Sequence, residues 1–314
     1  MRRAELWLCA LLVGCGTPQK PMPDAGDPNA PWDDLPAALT THDYRTSLAD
    51  CWTSAACQRV MLVTHGGDWD LNTPYDSRPA FVRAVQRGTD GIKGDFRLTV
   101  DGVGVIAHSS PIELFESVEC AGKVIEEMTA DEVTACHLIG SKSTFQRVDH
   151  LLSWARGRTV VMLDVKRAAD LTGAIRVGLE NAAQDFLFYE VHVKDFESIV
   201  VGTTGWDQLH YLVWLDSPAD ADRVIAANHA AQGFMFEMDP TYVGWDATAM
   251  KQLISTKLHP GGIRAFTSTD TKSPTTQNHQ DLYDEGFDVV MTYSLTNGLP
   301  VRKAVNAARG ISPP

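Results

Sequence analysis

Eight short apolar runs, separated by stretches of helical character, limit what this chain can fold into more than any other feature. They lie at 59–64, 91–98, 159–165, 186–191, 210–215, 233–238, 263–267 and 288–292. The runs are rich in Val, Ile, Leu, Phe and Met and do not alternate with polar residues, as strands covered on both faces should not. Helical stretches are expected at 78–86, 143–155, 168–181, 195–200, 219–230, 247–258 and 278–285, with Asp246 placed as a side-chain cap on the sixth. Strands alternating with helices in this number predict an α/β chain folded as a single-domain (β/α)8 barrel of the TIM type. The rival is a doubly wound open sheet. That fold wants a glycine-rich phosphate loop after its first strand, and His65-Gly-Gly-Asp-Trp69 fits neither of the known patterns. The segment after the second strand is longer than the rest. There Gly102–Ala107 can return as a hairpin arm, and Cys120 and Cys136 fall in the insertion beyond it.

The ends of the chain read differently. Residues 1–14 pair a basic start with the apolar run Leu6–Gly14, too short to cross a bilayer as a helix. Leu12-Val-Gly-Cys15 has the form of a bacterial lipobox, so Cys15 is the expected lipidation site of an exported, membrane-anchored envelope protein. Residues 15–50, dense in Pro, Gly and Asp, read as a tether and lead-in, and 51–314 as the barrel. The net charge of −13 argues against a nucleic-acid partner, whose phosphates need Lys and Arg to neutralise them. Oligomeric state is not written in the sequence. In an exported chain the remaining cysteines suggest disulfides, with Cys51–Cys57 and Cys120–Cys136 favoured because each closes a short local loop. A zinc site would need a tighter Cys/His cluster than Cys136-His137 offers.

In such barrels the chemistry gathers at the carboxyl ends of the strands. His65 ends the first run, His108 follows the hairpin arm, and Lys93, Asp95 and Arg97 lie on the second run between them. Asp164 and Lys166 close the third run, Glu190 the fourth and Glu237 the sixth. Two imidazoles facing a carboxylate and cations suit general acid–base cleavage of a phosphate diester. The phosphate is expected on Lys93 and Lys166, with Arg97 as an extra contact. Asn72 and Asp68 are candidates for orienting the site, and Trp69 and Tyr75 for lining it. Taken singly, each of these residues is more often a helix cap or a surface ion pair. Their concentration at the strand ends is what speaks for chemistry.

The order of motifs resembles the glycerophosphodiester phosphodiesterases, a branch of the phospholipase-C-like phosphodiesterase barrels. The resemblance rests on Thr64-His65-Gly66, Asn72-Thr73, Lys93-Gly94-Asp95, Thr99-Val-Asp-Gly102 leading to His108, Asp164-Val-Lys166 and Gly286-Phe-Asp-Val-Val-Met-Thr292. It implies a phosphoric diester hydrolase in which His65 is the general base and His108 protonates the leaving alcohol. Its substrate would be a glycerophosphodiester or a related small-molecule or lipid-headgroup diester.

The departures from that pattern are specific. The family's arginine after the first histidine is Gly66, the first carboxylate of its Glu-x-Asp is Lys93, its next glutamate is the shorter Asp164, and its last aspartate is Tyr293. Family members hold one divalent cation, Mg²⁺ or Ca²⁺, between three carboxylates. Here Asp95 and Asp164 remain, and Glu190 or Glu237 would have to supply the third ligand. The preferred expectation is that the Lys93 ammonium stands in for the ion. Two alternatives compete: a degenerate barrel that binds a phospho-ligand or partner without cleaving it, and a glycosidase built on Glu190 and Glu237.

Overall fold

The computed structural model describes residues 51–311 except 53, 55, 228–232, 237–245 and 270–272. Glu237, the expected signal segment 1–14 and all of 15–50, Cys15 included, lie outside the described residues.

Eight parallel strands close on themselves. They are β1 (Met61–His65), β2 (Gly91–Leu98), β5 (Val160–Val165), β6 (Leu187–His192), β7 (His210–Leu215), β8 (Gly233–Phe236), β9 (Arg264–Ser268) and β10 (Val289–Thr292). Each pairs in parallel with the next, and β1 pairs with both β10 and β2, which shuts the barrel. Two further strands, β3 (Gly104–Ile106) and β4 (Gln146–Arg147), extend the sheet antiparallel from β2, so the predicted hairpin arm forms. The helices are α1 (Arg78–Arg87), α2 (Ala130–Thr134), α3 (Val148–Ala155), α4 (Leu171–Glu180), α5 (Val193–Asp195), α6 (Pro218–Ala226), α7 (Ala247–Leu253), α8 (Thr276–Glu285) and α9 (Leu295–Ala308). None of them is long and apolar enough to cross a membrane.

Two apolar layers hold this architecture. Outward strand residues such as Leu62, Ile92, Val161 and Leu187 pack under the helices. Inward residues, among them Met61, Val63, Met162, Phe188, Leu212 and Met291, fill the barrel. Trp52, fully buried, seals its amino-terminal end by packing against Phe188 and Phe266 at centroid distances of 5.4 and 5.7 Å. Arg264 ties the same end together by donating to the carbonyls of Ser54, Cys57 and Arg59. Cys51 is bonded to Cys57, and Cys120 to Cys136. The second disulfide lies in the insertion after β3, over a small apolar core of its own.

Several element boundaries depart from expectation for local reasons. The helix expected at 143–155 starts only at Val148, because Gln146 and Arg147 pair with β3 instead. The helices expected at 195–200 and 247–258 both end in wide π-helical turns, Phe196–Val200 and Ile254–Leu258. Asp246 does cap α7, its side chain accepting from the Ala249 N–H. Helix α9 has no counterpart in the sequence reading, since Asn297-Gly298 and Pro300 look like breakers. Gly298 is instead a contact point, where a Cβ would sit 2.8 Å from Leu62.

Candidate active site

Side chains at the carboxyl end of the barrel form one polar floor. The registers Asp95↔Asp164 and Asp164↔Glu190 put three acids side by side on adjacent strands. Among them lie two ammoniums. Lys93 Nζ contacts Asp95 Oδ1 and lies 3.3 Å from Asp164 Oδ2, while Lys166 Nζ is 2.9 Å from Asp95 and 2.5 Å from Asp164. Lys93 and Asp95, two residues apart on one strand, share the inward face. Lys93 and Asp95 are buried, and Lys166 and Asp164 are partly open to solvent.

The charges hold one another. Burial alone would push Asp95 up, but the Lys93 and Lys166 ammoniums outweigh it and hold the carboxyl well below its ordinary range. Burial would likewise lower Lys93, yet Asp95 and Asp164 keep it raised and charged. For Glu190 the balance runs the other way: burial, then the Asp164 charge, outweigh the Lys93 and Lys166 ammoniums and push it up to about 8. Its Oε2 is buried and makes no hydrogen bond among the described residues. This donor set does not fit a divalent cation. Asp95 and Asp164, which would ligate one, are already paired with two ammoniums, which would repel the ion at contact distance.

His65 sits at the end of β1, where the chain turns away through Gly66 and Gly67, both at positive φ. Its Nδ1 is 2.8 Å from the Tyr75 hydroxyl, which donates its proton to Asp95 Oδ2, also at 2.8 Å. A phenol has one proton to give, and an ionised carboxylate can only accept it. The His65 Nδ1 therefore carries hydrogen, leaving Nε2 as the basic nitrogen, 3.4 Å from Lys93 Nζ. Burial, reinforced by Lys93, holds the His65 imidazole well below its ordinary pKa, so it is neutral at pH 7. Tyr293 stacks on its ring at 4.5 Å.

Tyr75 explains one departure from the motif pattern. A Cβ on Gly66 would lie 2.0 Å from the Tyr75 ring, so the tyrosine fills the space an arginine side chain would need. Asp76 beside it takes over a backbone duty. Strand β1 stops at His65↔Lys93 while β2 runs on, and Asp76 Oδ2 accepts the Asp95 N–H at 3.1 Å. Neither role announces itself in the sequence. Tyr75 was visible only as a pocket aromatic close to the first histidine.

His108 lies on the far side of Tyr75, ring centroids 6.3 Å apart. The buried Glu116 carboxylate accepts from the His108 and Ser109 N–H groups at 2.7 and 2.9 Å, and His108 Nδ1 is 3.0 Å from the Ser109 hydroxyl. Arg97 supports this loop rather than facing the floor, donating to the His108 carbonyl at 2.8 Å and to Glu126 at 3.1 Å. Asp68 is paired with Arg83 and Arg87 of α1. Asn72 is exposed in a turn capped by Asp70, and no hydrogen bond among the described residues ties its side chain to either histidine. The structure thus brings together His65, His108, Lys93, Asp95, Asp164, Lys166 and Glu190, leaves Arg97 and Asp68 in supporting ion pairs, and leaves Asn72 exposed in its turn.

Several solved structures superpose on this architecture. A glycerophosphoryl diester phosphodiesterase from Parabacteroides distasonis superposes with a TM-score of 0.62 over 83% of this chain and 91% of its own, at 18% identity. The fold is that of the glycerophosphodiester phosphodiesterases. One from Agrobacterium tumefaciens gives 0.60 over 77% and 99% at 18% identity. A phosphodiesterase from Oleispira antarctica, solved with the product sn-glycerol-3-phosphate, gives 0.62 over 81% and 99% at 14% identity. In sequence, a glycerophosphodiester phosphodiesterase of Caldanaerobacter subterraneus subsp. tengcongensis is 31% identical over 75 residues. That match spans 24% of this chain and 29% of the relative, under a third of its length. No family model matches the chain.

Proposed function

We propose that the chain is a divergent, exported glycerophosphodiester phosphodiesterase-type hydrolase, cleaving a glycerophosphodiester or lipid-headgroup diester between His65 and His108. The observation that carries the reading is the Asp95–Tyr75–His65 chain of hydrogen bonds, which leaves Nε2 as a base above paired ammoniums. The product held by the Oleispira antarctica barrel supports a small phosphodiester as substrate.

The diester anion sits on Lys166, the more open ammonium, with Lys93 behind it supplying positive charge from a buried position. His65 Nε2 removes the proton of the attacking oxygen, from water or a hydroxyl of the substrate, as that oxygen bonds to phosphorus. The phosphorus–oxygen bond to the departing alcohol breaks, and His108 protonates the alkoxide. Burial lowers the His108 pKa in the free protein, and an adjacent diester anion raises it toward the protonated form the step requires. Asp95 and Asp164 position the two lysines, which do the electrostatic work a metal would otherwise do. The export reading rests on the lipobox-like Cys15 and on the Cys120–Cys136 disulfide, a bond of oxidising compartments.

A barrel that binds the diester without cleaving it is the second reading, favoured by the absence of the arginine and by Lys93 in place of an acid. The deciding experiment is hydrolysis of a chromogenic diester and a glycerophosphodiester panel by the wild type and by His65→Ala, His108→Ala and Lys93→Met, each with and without chelator. The expected result is turnover indifferent to chelator and lost in all three variants. Chelator sensitivity would overturn the lysine-for-metal assignment. Absence of turnover in folded wild-type protein would leave the binding-only barrel. Cys15→Ser should abolish incorporation of labelled fatty acid.

A further inference from the structure

The largest exposed apolar side chains are not scattered. Of the seven such residues among the described ones, six lie on two loops at the barrel mouth: Trp69 and Leu71 after β1, and Leu114, Phe115, Val118 and Ile139 in the insertion after β3. Leu71 is 99% exposed, Val118 65% and Leu114 64%. The loops adjoin, since the Leu71 carbonyl lies 4.0 Å from where a Cβ on Gly140 would be.

These side chains are surplus to the fold. The insertion already has a closed core of Val105, Ile112, Ile125, Val133, Leu138 and Phe145, pinned by the Cys120–Cys136 disulfide. Leu114, Phe115 and Val118 sit outside it, held out by a loop that the buried Glu116 fastens to His108. The apolar surface also runs to the reacting groups. Phe115 meets the His108 ring at 5.7 Å, and Trp69 meets Tyr75 at 5.9 Å and Tyr293 at 6.5 Å. A clustered patch of this kind marks a contact surface, whereas isolated exposed leucines do not.

We propose that this rim is a membrane-docking surface, which seats the mouth on a phospholipid bilayer so that a lipid-borne diester reaches the histidines from the leaflet. The proposal rests on the phosphodiesterase reading and narrows its substrate. A diester seated between His65 and His108 sends its alcohol arms out over the rim. Acyl chains find apolar surface there. Of the carboxylates beside the rim, Asp68 and Asp70 are paired with Arg83 and Arg87 and Glu119 accepts from His137, while Glu113 is exposed next to Leu114 and stays in the headgroup layer when the loop docks. The net charge of −13 selects a zwitterionic surface over an anionic one.

The test uses the protein from residue 16 to 314, so that neither a lipid on Cys15 nor the apolar run Leu6–Gly14 contributes, and phosphatidylcholine vesicles. It should float with the vesicles and hydrolyse a phosphodiester lipid embedded in them. Leu71→Ser/Leu114→Ser/Val118→Ser should lose about 10-fold or more of both, as expected when inserted apolar area is removed, while turnover of a soluble chromogenic diester stays unchanged. Failure of the parent protein to float, or equal flotation by the triple variant, overturns the proposal. So does a parent dimer that the triple variant splits while its vesicle binding stays the same, which would make the rim an interface between copies. Flotation without hydrolysis of either diester supports the docking surface and sinks the hydrolase reading, so the two failures are distinguishable.

Discussion

Tyr75 and Glu190 are the residues on which the site's chemistry turns, and each yields a measurable consequence. Tyr75→Phe keeps the ring over Gly66 but removes the hydroxyl that fixes the His65 tautomer. Turnover should fall on the order of 10²-fold with little change in KM, the scale of a misdirected general base. A change confined to KM would deny the relay. Glu190 bears on stability. An unfolded chain ionises a glutamate near 4.5, whereas here the carboxyl keeps its proton up to about 8. Its contribution to stability is therefore complete below about pH 4.5 and is lost as pH rises toward 8, because the unfolded state releases a proton that the folded state retains. Glu190→Gln should then unfold at a higher temperature than the wild type at pH 8, with the gap closing toward pH 4.5. A pH-independent gap in thermal melts would contradict the assignment. At this scale the sequence revealed residue types but not pairings. His65, Lys93, Asp95, Asp164 and Lys166 stand at strand ends and were legible. Tyr75 and Asp76 act from a loop, and only its folding brings them to Asp95.

Strands were easier to read than what lies between them. All eight barrel strands fall on the apolar-rich runs, because a strand buried on both faces is apolar on both; β2, which carries Lys93, Asp95 and Arg97, is the most polar of them. The hairpin arm at β3 was legible from its glycines. Helix α9 was hidden because Gly298 and Pro300 read as punctuation, although the glycine serves close packing against Leu62 and His279. The Asn306 side chain then bonds both backbone groups of Val60, fastening α9 to the start of β1. Within the insertion, the Cys120–Cys136 bond closes a 16-residue separation. Replacing both cysteines by serine should cost about 3 kcal/mol on the chain-entropy account. It should also slow turnover, since the same loop carries Glu116 to His108. Calorimetry with parallel kinetics tests both, and unchanged kinetics would show that the insertion does not position His108.

The whole molecule is strongly acidic, and its site does not compensate. Two ammoniums against two carboxylates, with Glu190 protonated, leave the floor without excess positive charge to draw in an anion. The overall charge of −13 therefore repels a soluble diester, and kcat/KM should rise as salt is increased from roughly 0.01 to 0.15 M and the repulsion is screened. A fall over that range would reveal local attraction that the fold does not display. Closure of the sheet gives the molecule two unlike poles. Trp52 stoppers one of them, only two residues after the tail 1–50, while every group assigned to chemistry stands at the other. A protein held by Cys15 would thus be moored at its blind end. The 35 residues from 16 to 50 can span at most roughly 120 Å. Even a much shorter path lets the barrel capsize and bring its open pole down on the surface that tethers it.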